Sequence, residues 1–96
     1  MKEVDRNLEK VDLAIDDFGK VVQDFRLKNG LTLQDMADLV SCSPSYLWRI
    51  ENQRRNPDMD VKVRILMLGM CWDPKDVLLF LERSLSKDAL LNQSDH

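Results

Sequence analysis

Apolar residues recur at Val4, Leu8, Val11, Ile15, Phe18, Val22 and Phe25, in alternating steps of four and three. That spacing keeps them on a single helical stripe, as in the seam of a coiled coil. Two arrangements satisfy it. In one, a single helix runs from about Lys2 to Lys28 and offers Val4, Leu8 and Val11 to a partner. In the other, favoured by Asp16 and Asp17 as helix-capping residues, residues 1–15 form an appended helical arm and a new helix begins at Phe18. The arm then either meets a partner protein or packs on its own domain.

Asn29-Gly30 ends this helix, because both residues tolerate the left-handed backbone common at helix C-termini. Thr32 caps a second helix, about Leu33 to Val40, with Asp35 in the capping-box position. Ser41-Cys42 makes a turn and Ser43 caps a third helix, Pro44 to about Asn52; Pro44 loses nothing at a first position whose N–H has no helical acceptor. Leu33, Met36, Ala37, Val40, Cys42, Leu47 and Ile50 are spaced so that the two short helices cross steeply over one core, a helix-turn-helix pattern. A polar, basic loop follows from Gln53 to Pro57.

Asp58 caps a fourth helix through Leu68, with Gly69 as its stop, and Asp73-Pro74 opens a fifth through about Ser84. Both are too apolar for one stripe. Val61, Ile65 and Leu68 supplement the row at Met59, Val63, Leu66, Met67 and Met70, and Val77 to Leu81 with Leu85 crowd the last helix. The surplus predicts a dimer interface at Leu79, Phe80 and Leu85; a monomer with a thick core is the alternative. Ala89, Leu90 and Leu91 add at most a short turn to a loose tail. The chain thus divides into an arm (1–15), a helical domain (16–86) and a tail (87–96).

Composition narrows the class to all-α: 96 residues allow one domain, and three Gly, three Pro and no strand-like alternation leave little room for a sheet. The net charge of −3 counts against nucleic acid until its distribution is considered. Residues 1–17 carry three basic and six acidic side chains, residues 18–57 six and four, and residues 58–96 five and seven. The positive part coincides with the helix-turn-helix pattern. No apolar run could span a membrane or serve as a signal peptide, so a cytoplasmic protein is expected. Cys42 and Cys71 sit in apolar patterns and read as buried thiols, and His96 is the only histidine, so no metal or other cofactor is expected. Without a Cys–His or Ser–His pairing or a Gly-rich phosphate loop, an enzyme is not expected.

A recognition helix turns small or polar side chains toward the major groove and locks its rear to the domain. On the third helix Leu47 and Ile50 point inward, and Pro44, Ser45, Trp48, Arg49 and Asn52 point out or along the rim. Arg49 can fork onto guanine O6 and N7 or bind a phosphate, and Ser45 can donate to either. Tyr46 either closes the seam with the first domain helix or binds phosphate through its hydroxyl.

Phe18-Gly19-Lys20, Arg26 to Thr32, Ala37, Ser43 to Leu47, Arg49-Ile50-Glu51 and Arg54 to Pro57 together resemble the phage repressor and Cro type of helix-turn-helix, the XRE family. The resemblance covers Phe18 to about Leu81. It implies a five-helix, lambda-repressor-like DNA-binding domain, here with an N-terminal helical arm. It also implies a transcriptional regulator, a repressor, bound as a homodimer to a pseudo-palindromic operator in double-stranded DNA. Ser45 and Arg49 then occupy base-reading positions flanked by Pro44, and Asn52, Arg54 and Arg55 lie where the family touches phosphate. Thr32, Ser43, Tyr46 and Trp48 complete the DNA-facing set. Arg26 and Glu51 match a buried ion pair, whose rupture by a single replacement should cost about 3–5 kcal/mol.

Three positions depart from the pattern. Ser41 stands where the turn usually has Gly, Leu33 where many relatives carry a phosphate- or base-contacting Gln, and Trp48 where small polar residues are common. With the acidic balance, they keep a second reading in view: a helix-turn-helix module that mainly binds protein, such as an antitoxin, co-regulator or inhibitor.

Overall fold

The computed structural model describes the backbone of residues 2–94 and the side chains of residues 8–88. Its elements are α1 (Lys2–Asp16), α2 (Phe18–Lys28), α3 (Leu33–Val40), α4 (Pro44–Glu51), α5 (Met59–Arg64) continuing into a π-helical turn (Ile65–Gly69), and α6 (Pro74–Ser94). There is no strand among the described residues.

The apolar row at the start of the chain is bent at one residue. Asp17 leaves the helical region (φ −149°, ψ 66°), yet Val11, Phe18 and Val22 on both sides of it are buried in one core, with Ile15 and Phe25 packed against it. α1 therefore packs on its own domain; the Val4 side chain lies outside the described residues. Lys10 pairs with Asp76, Asp12 with Arg83 and Asp16 with Lys87. Residue numbers rise together along both helices, so α1 and α6 run parallel.

Phe80, expected at a dimer interface, is instead completely buried within one chain. Its ring meets Phe18 at 6.2 Å between centroids and Trp72 edge-on at 6.3 Å. Because α1 and α2 cover this face of α6, the excess of apolar residues is consumed internally at Val77 and Phe80, while Leu78 and Leu85 stay 65% and 62% exposed. Leu79 is half-buried. Similarly, Ile65, Leu66 and Met70 enter the core whereas Met67 and Leu68 remain on the surface.

Helical segments end on left-handed residues at Gly30 (φ 67°), Ser41 (58°), Gln53 (59°) and Cys71 (56°). After α2, α3 and α4 the next N–H reaches back five residues: Leu31 to Arg26 O (2.9 Å), Cys42 to Ala37 O (3.0 Å) and Arg54 to Arg49 O (2.8 Å). These are Schellman closures. After the π-helical turn the span is one residue longer, Trp72 to Leu66 O at 2.8 Å.

Gly69 is not a left-handed stop, although the helical segment does end there as read from the sequence. It is the last residue of the π-helical turn, and a Cβ there would lie 2.9 Å from Met36 Cε and from Val40 Cγ1. Its bare backbone lets the turn approach α3, and the chain reverses at Cys71. That residue is exposed rather than buried, since the left-handed exit carries it off the core. Cys42 is half-buried, and its desolvation pushes the thiol pKa up against the opposing pull of Arg64.

Nor does the last helix stop near Ser84; it continues to Ser94. No Gly or Pro interrupts residues 75–94, and the Lys87–Asp16 pair holds the extension beside α1. The side chains of Ala89, Leu90 and Leu91 lie outside the described residues.

Candidate nucleic-acid interface

The reading edge begins with two well-formed helix starts. Thr32 Oγ1 accepts from Asp35 N at 3.0 Å while Thr32 N donates to Asp35 Oδ2 at 2.9 Å, a reciprocal capping box. The bond from Thr32 N holds the Asp35 carboxyl below the usual aspartate range. At α4, Ser43 Oγ accepts from Tyr46 N at 3.1 Å and Pro44 fills the first turn. Thr32 and Ser43 are exposed, and each cap oxygen already accepts one bond within the fold, while Ser43 Oγ also lies 3.4 Å from Ser45 Oγ, so the two residues serve first to place the helix starts.

On α4 the sequence divides cleanly. Leu47, Ile50 and Glu51 are buried, whereas Ser45, Trp48, Arg49 and Asn52 are exposed. Steps of three and four place these four on one outward stripe. Asn52 donates through Nδ2 to Trp48 O at 2.9 Å, which fixes the amide at the end of the stripe. Among the described residues Arg49 makes no ion pair, leaving its fork available. Trp48 is 46% exposed, a large ring held at the centre of the stripe.

Arg54 and Arg55 are exposed in the loop after α4. The Arg55 guanidinium lies 5.8 Å from the centroid of the half-buried Tyr46 ring, so Tyr46 works from the flank of α4 as a platform for a loop cation. Leu33 is half-buried against the core rather than projecting toward a ligand, consistent with the lack of a clamp there. Pro44 is half-buried at the rim.

The rear of α4 is locked by charge and by close approach. Arg26 Nε donates to Glu51 Oε2 at 2.8 Å, Nη2 to Oε1 at 3.0 Å, and Nη1 to Leu31 O at 3.0 Å. The Arg26 and Glu51 side chains are only 12% and 1% exposed, and the hydrogen bonds that Arg26 donates to the Glu51 carboxylate raise the arginine pKa above its usual value. Beside this pair, a Cβ on Gly19 would fall 2.2 Å from Ile50 O. α2 therefore meets the end of α4 backbone to backbone.

Gln53 and Gly19 are the positioning residues that the sequence reading left without a role. Gln53 takes the left-handed turn and donates through Nε2 to Asp17 Oδ1 at 2.9 Å, tying the loop start to the α1–α2 junction. Nothing in the local sequence marks it, since Gly is the usual residue at such a turn. Gly19 lies inside a helix, where its sequence signal is a propensity cost with no visible benefit until the neighbouring helix is in place.

An all-α domain with a capped, steeply turned helix pair, a polar outward stripe and a basic loop defines a helix-turn-helix domain of the DNA-binding type. Residues 17–68 match the family described as helix-turn-helix domain, more than half of the chain, and the protein belongs to that family. No curated protein and no solved structure matches the chain. Among the described residues no helix is long and apolar enough to cross a membrane.

Proposed function

We propose that this protein is a sequence-specific transcriptional regulator, without catalytic activity, that acts in the cytoplasm as a repressor. It binds a pseudo-palindromic operator as a homodimer, with half-sites about one helical turn of DNA apart. The observation that carries the reading is the split of α4 into a buried Leu47, Ile50, Glu51 face and an exposed Ser45, Trp48, Arg49, Asn52 face. Ser45 and Arg49 read base edges, and Asn52, Arg54 and Arg55 hold phosphates. Exposed Leu78 and Leu85, seven residues apart on α6, supply an apolar stripe for a second copy.

The test is a titration against operator fragments, selected from random duplexes and from genomic DNA including the protein's own promoter, at two salt concentrations. Arg49→Ala is expected to weaken specific binding by about 1–3 kcal/mol, roughly 5- to 150-fold, and to relax preference at one base pair. Equal, feeble binding by both proteins would instead favour a protein-binding module. The half-exposed Trp48 on a chain of net charge −3 is the observation supporting that second reading.

A further inference from the structure

We propose that α1 is an exchangeable helix: by straightening at Asp17, two copies of the chain trade α1 and dock it on each other's α6. This goes beyond the proposed regulator and holds whether or not α4 reads DNA.

The junction is nearly a helix already. Asp17 N donates to Leu13 O at 2.9 Å and Val21 N to Asp17 O at 3.1 Å, each the four-residue bond of an α-helix. Between them, no backbone bond joins the N–H groups of Phe18, Gly19 and Lys20 to the carbonyls of Ala14, Ile15 and Asp16. The Asp17 side chain does not cap α2 in compensation; its carboxylate is turned to Gln53 instead. Rotating this one residue into the helical region would complete the ladder from Lys2 to Lys28, a helix about 40 Å long.

The sequence supports the straight form equally well. The four-and-three spacing from Val4 to Phe25 passes through Asp17 without a skip, so a straight helix keeps one unbroken apolar stripe. A chain that only ever bends at this point needs no such continuity across the bend.

The occupant of the vacated place is a second copy, because the α1–α6 interface is specified in charge as well as shape. Lys10, Asp12 and Asp16 on α1 face Asp76, Arg83 and Lys87 on α6, at 2.8, 2.9 and 2.9 Å. Only another α1 presents that order of charges with Val11 and Ala14 between them. Every contact of α1 reforms on the partner, so the balance rests on the hinge and on protein concentration.

Light and isotopically heavy chains are unfolded together, refolded over a range of concentrations, and treated with a carbodiimide, which joins a lysine and a carboxylate in direct contact. Mass spectrometry then reads the Lys10–Asp76 and Lys87–Asp16 links. Exchange predicts links between light and heavy chains, in a share that rises with concentration. Asp17→Ala and Asp17→Gly both remove the bond to Gln53 but differ in helix propensity by about fivefold per hinge, hence roughly 25-fold in dimer dissociation constant, with Ala the tighter. Links confined to chains of one isotope at every concentration would overturn the proposal, even if sedimentation shows a dimer, which would then be joined through the exposed face of α6. Mixed links in equal share for both variants would remove Asp17 as the hinge and overturn it as well.

Discussion

Arg26 and Glu51, within the family-matched residues 17–68, meet with side chains 12% and 1% exposed. The ion pairs that fasten α1 to α6, outside or at the edge of that span, involve side chains between 14% and 66% exposed. A bidentate pair in a dry site tolerates little displacement, because moving either partner strands a charge away from water. Exposed pairs yield easily, since water and salt replace the lost partner. The same contrast appears in the backbone: α2 and α4 touch through Gly19 with no side chain between, whereas α1 joins α2 through a single uncapped residue. The charged contacts are thus dry where α4 is seated, whereas the outer helix pair carries its ion pairs at the exposed rim of an apolar seam that includes Val11, Ala14 and Phe80.

Glu51→Ala should show the contrast most strongly. Removing the carboxylate leaves Arg26 buried with two of its three hydrogen bonds unmade, an expected loss of about 3–5 kcal/mol in urea unfolding. A loss under about 1 kcal/mol would mean that the pair is no more committed than the surface ones. Gly19→Ala comes next. A methyl 2.2 Å from Ile50 O must push α2 off α4, costing about 1–3 kcal/mol, and operator binding should fall further than stability alone explains because the aim of α4 changes.

Ser41→Gly should act in the opposite direction. The φ of 58° at Ser41 is one that side chains disfavour, and its side chain is exposed, so thermal unfolding should report a gain of about 1 kcal/mol. No gain would show that the turn relaxes around the serine. The smallest effect belongs to the outer layer: Asp12→Ala, which breaks the pair with Arg83, should cost about 0.2–1 kcal/mol and less still in high salt. A salt-independent loss above that range would class this pair with the dry contacts after all.

Three helix starts were legible in the chain because their chemistry is local: Thr32 with Asp35, Ser43 before Pro44, and Asp73 before Pro74 each satisfy N–H groups within one turn, whereas Asp17 and Asp58, read as caps, precede their helices without a side-chain bond to them. Helix ends were less so. Gly30 announces its turn, but Ser41, Gln53 and Cys71 adopt the same left-handed backbone without being glycine, and Gly69, which looks like a stop, is a packing surface for Met36 and Val40. The outward stripe of α4 followed from helical periodicity alone. The support from Gln53 and Gly19 did not, because each acts on a segment more than thirty residues distant in sequence.

Periodicity and caps, being properties of neighbouring residues, were enough to establish an all-α chain, the helix pair and its buried and exposed faces, whereas the Arg26–Glu51 match came from the family resemblance. Which apolar residues of α6 are spent inside the chain depended on what lies against them. Phe80 and Leu85 are both apolar positions of one helix, yet Phe80 is buried under Phe18 and Trp72 while Leu85 faces solvent. Side-chain type states that a residue prefers to leave water; only the assembled helices determine which of several such residues finds cover, and whether that cover comes from its own chain or from another.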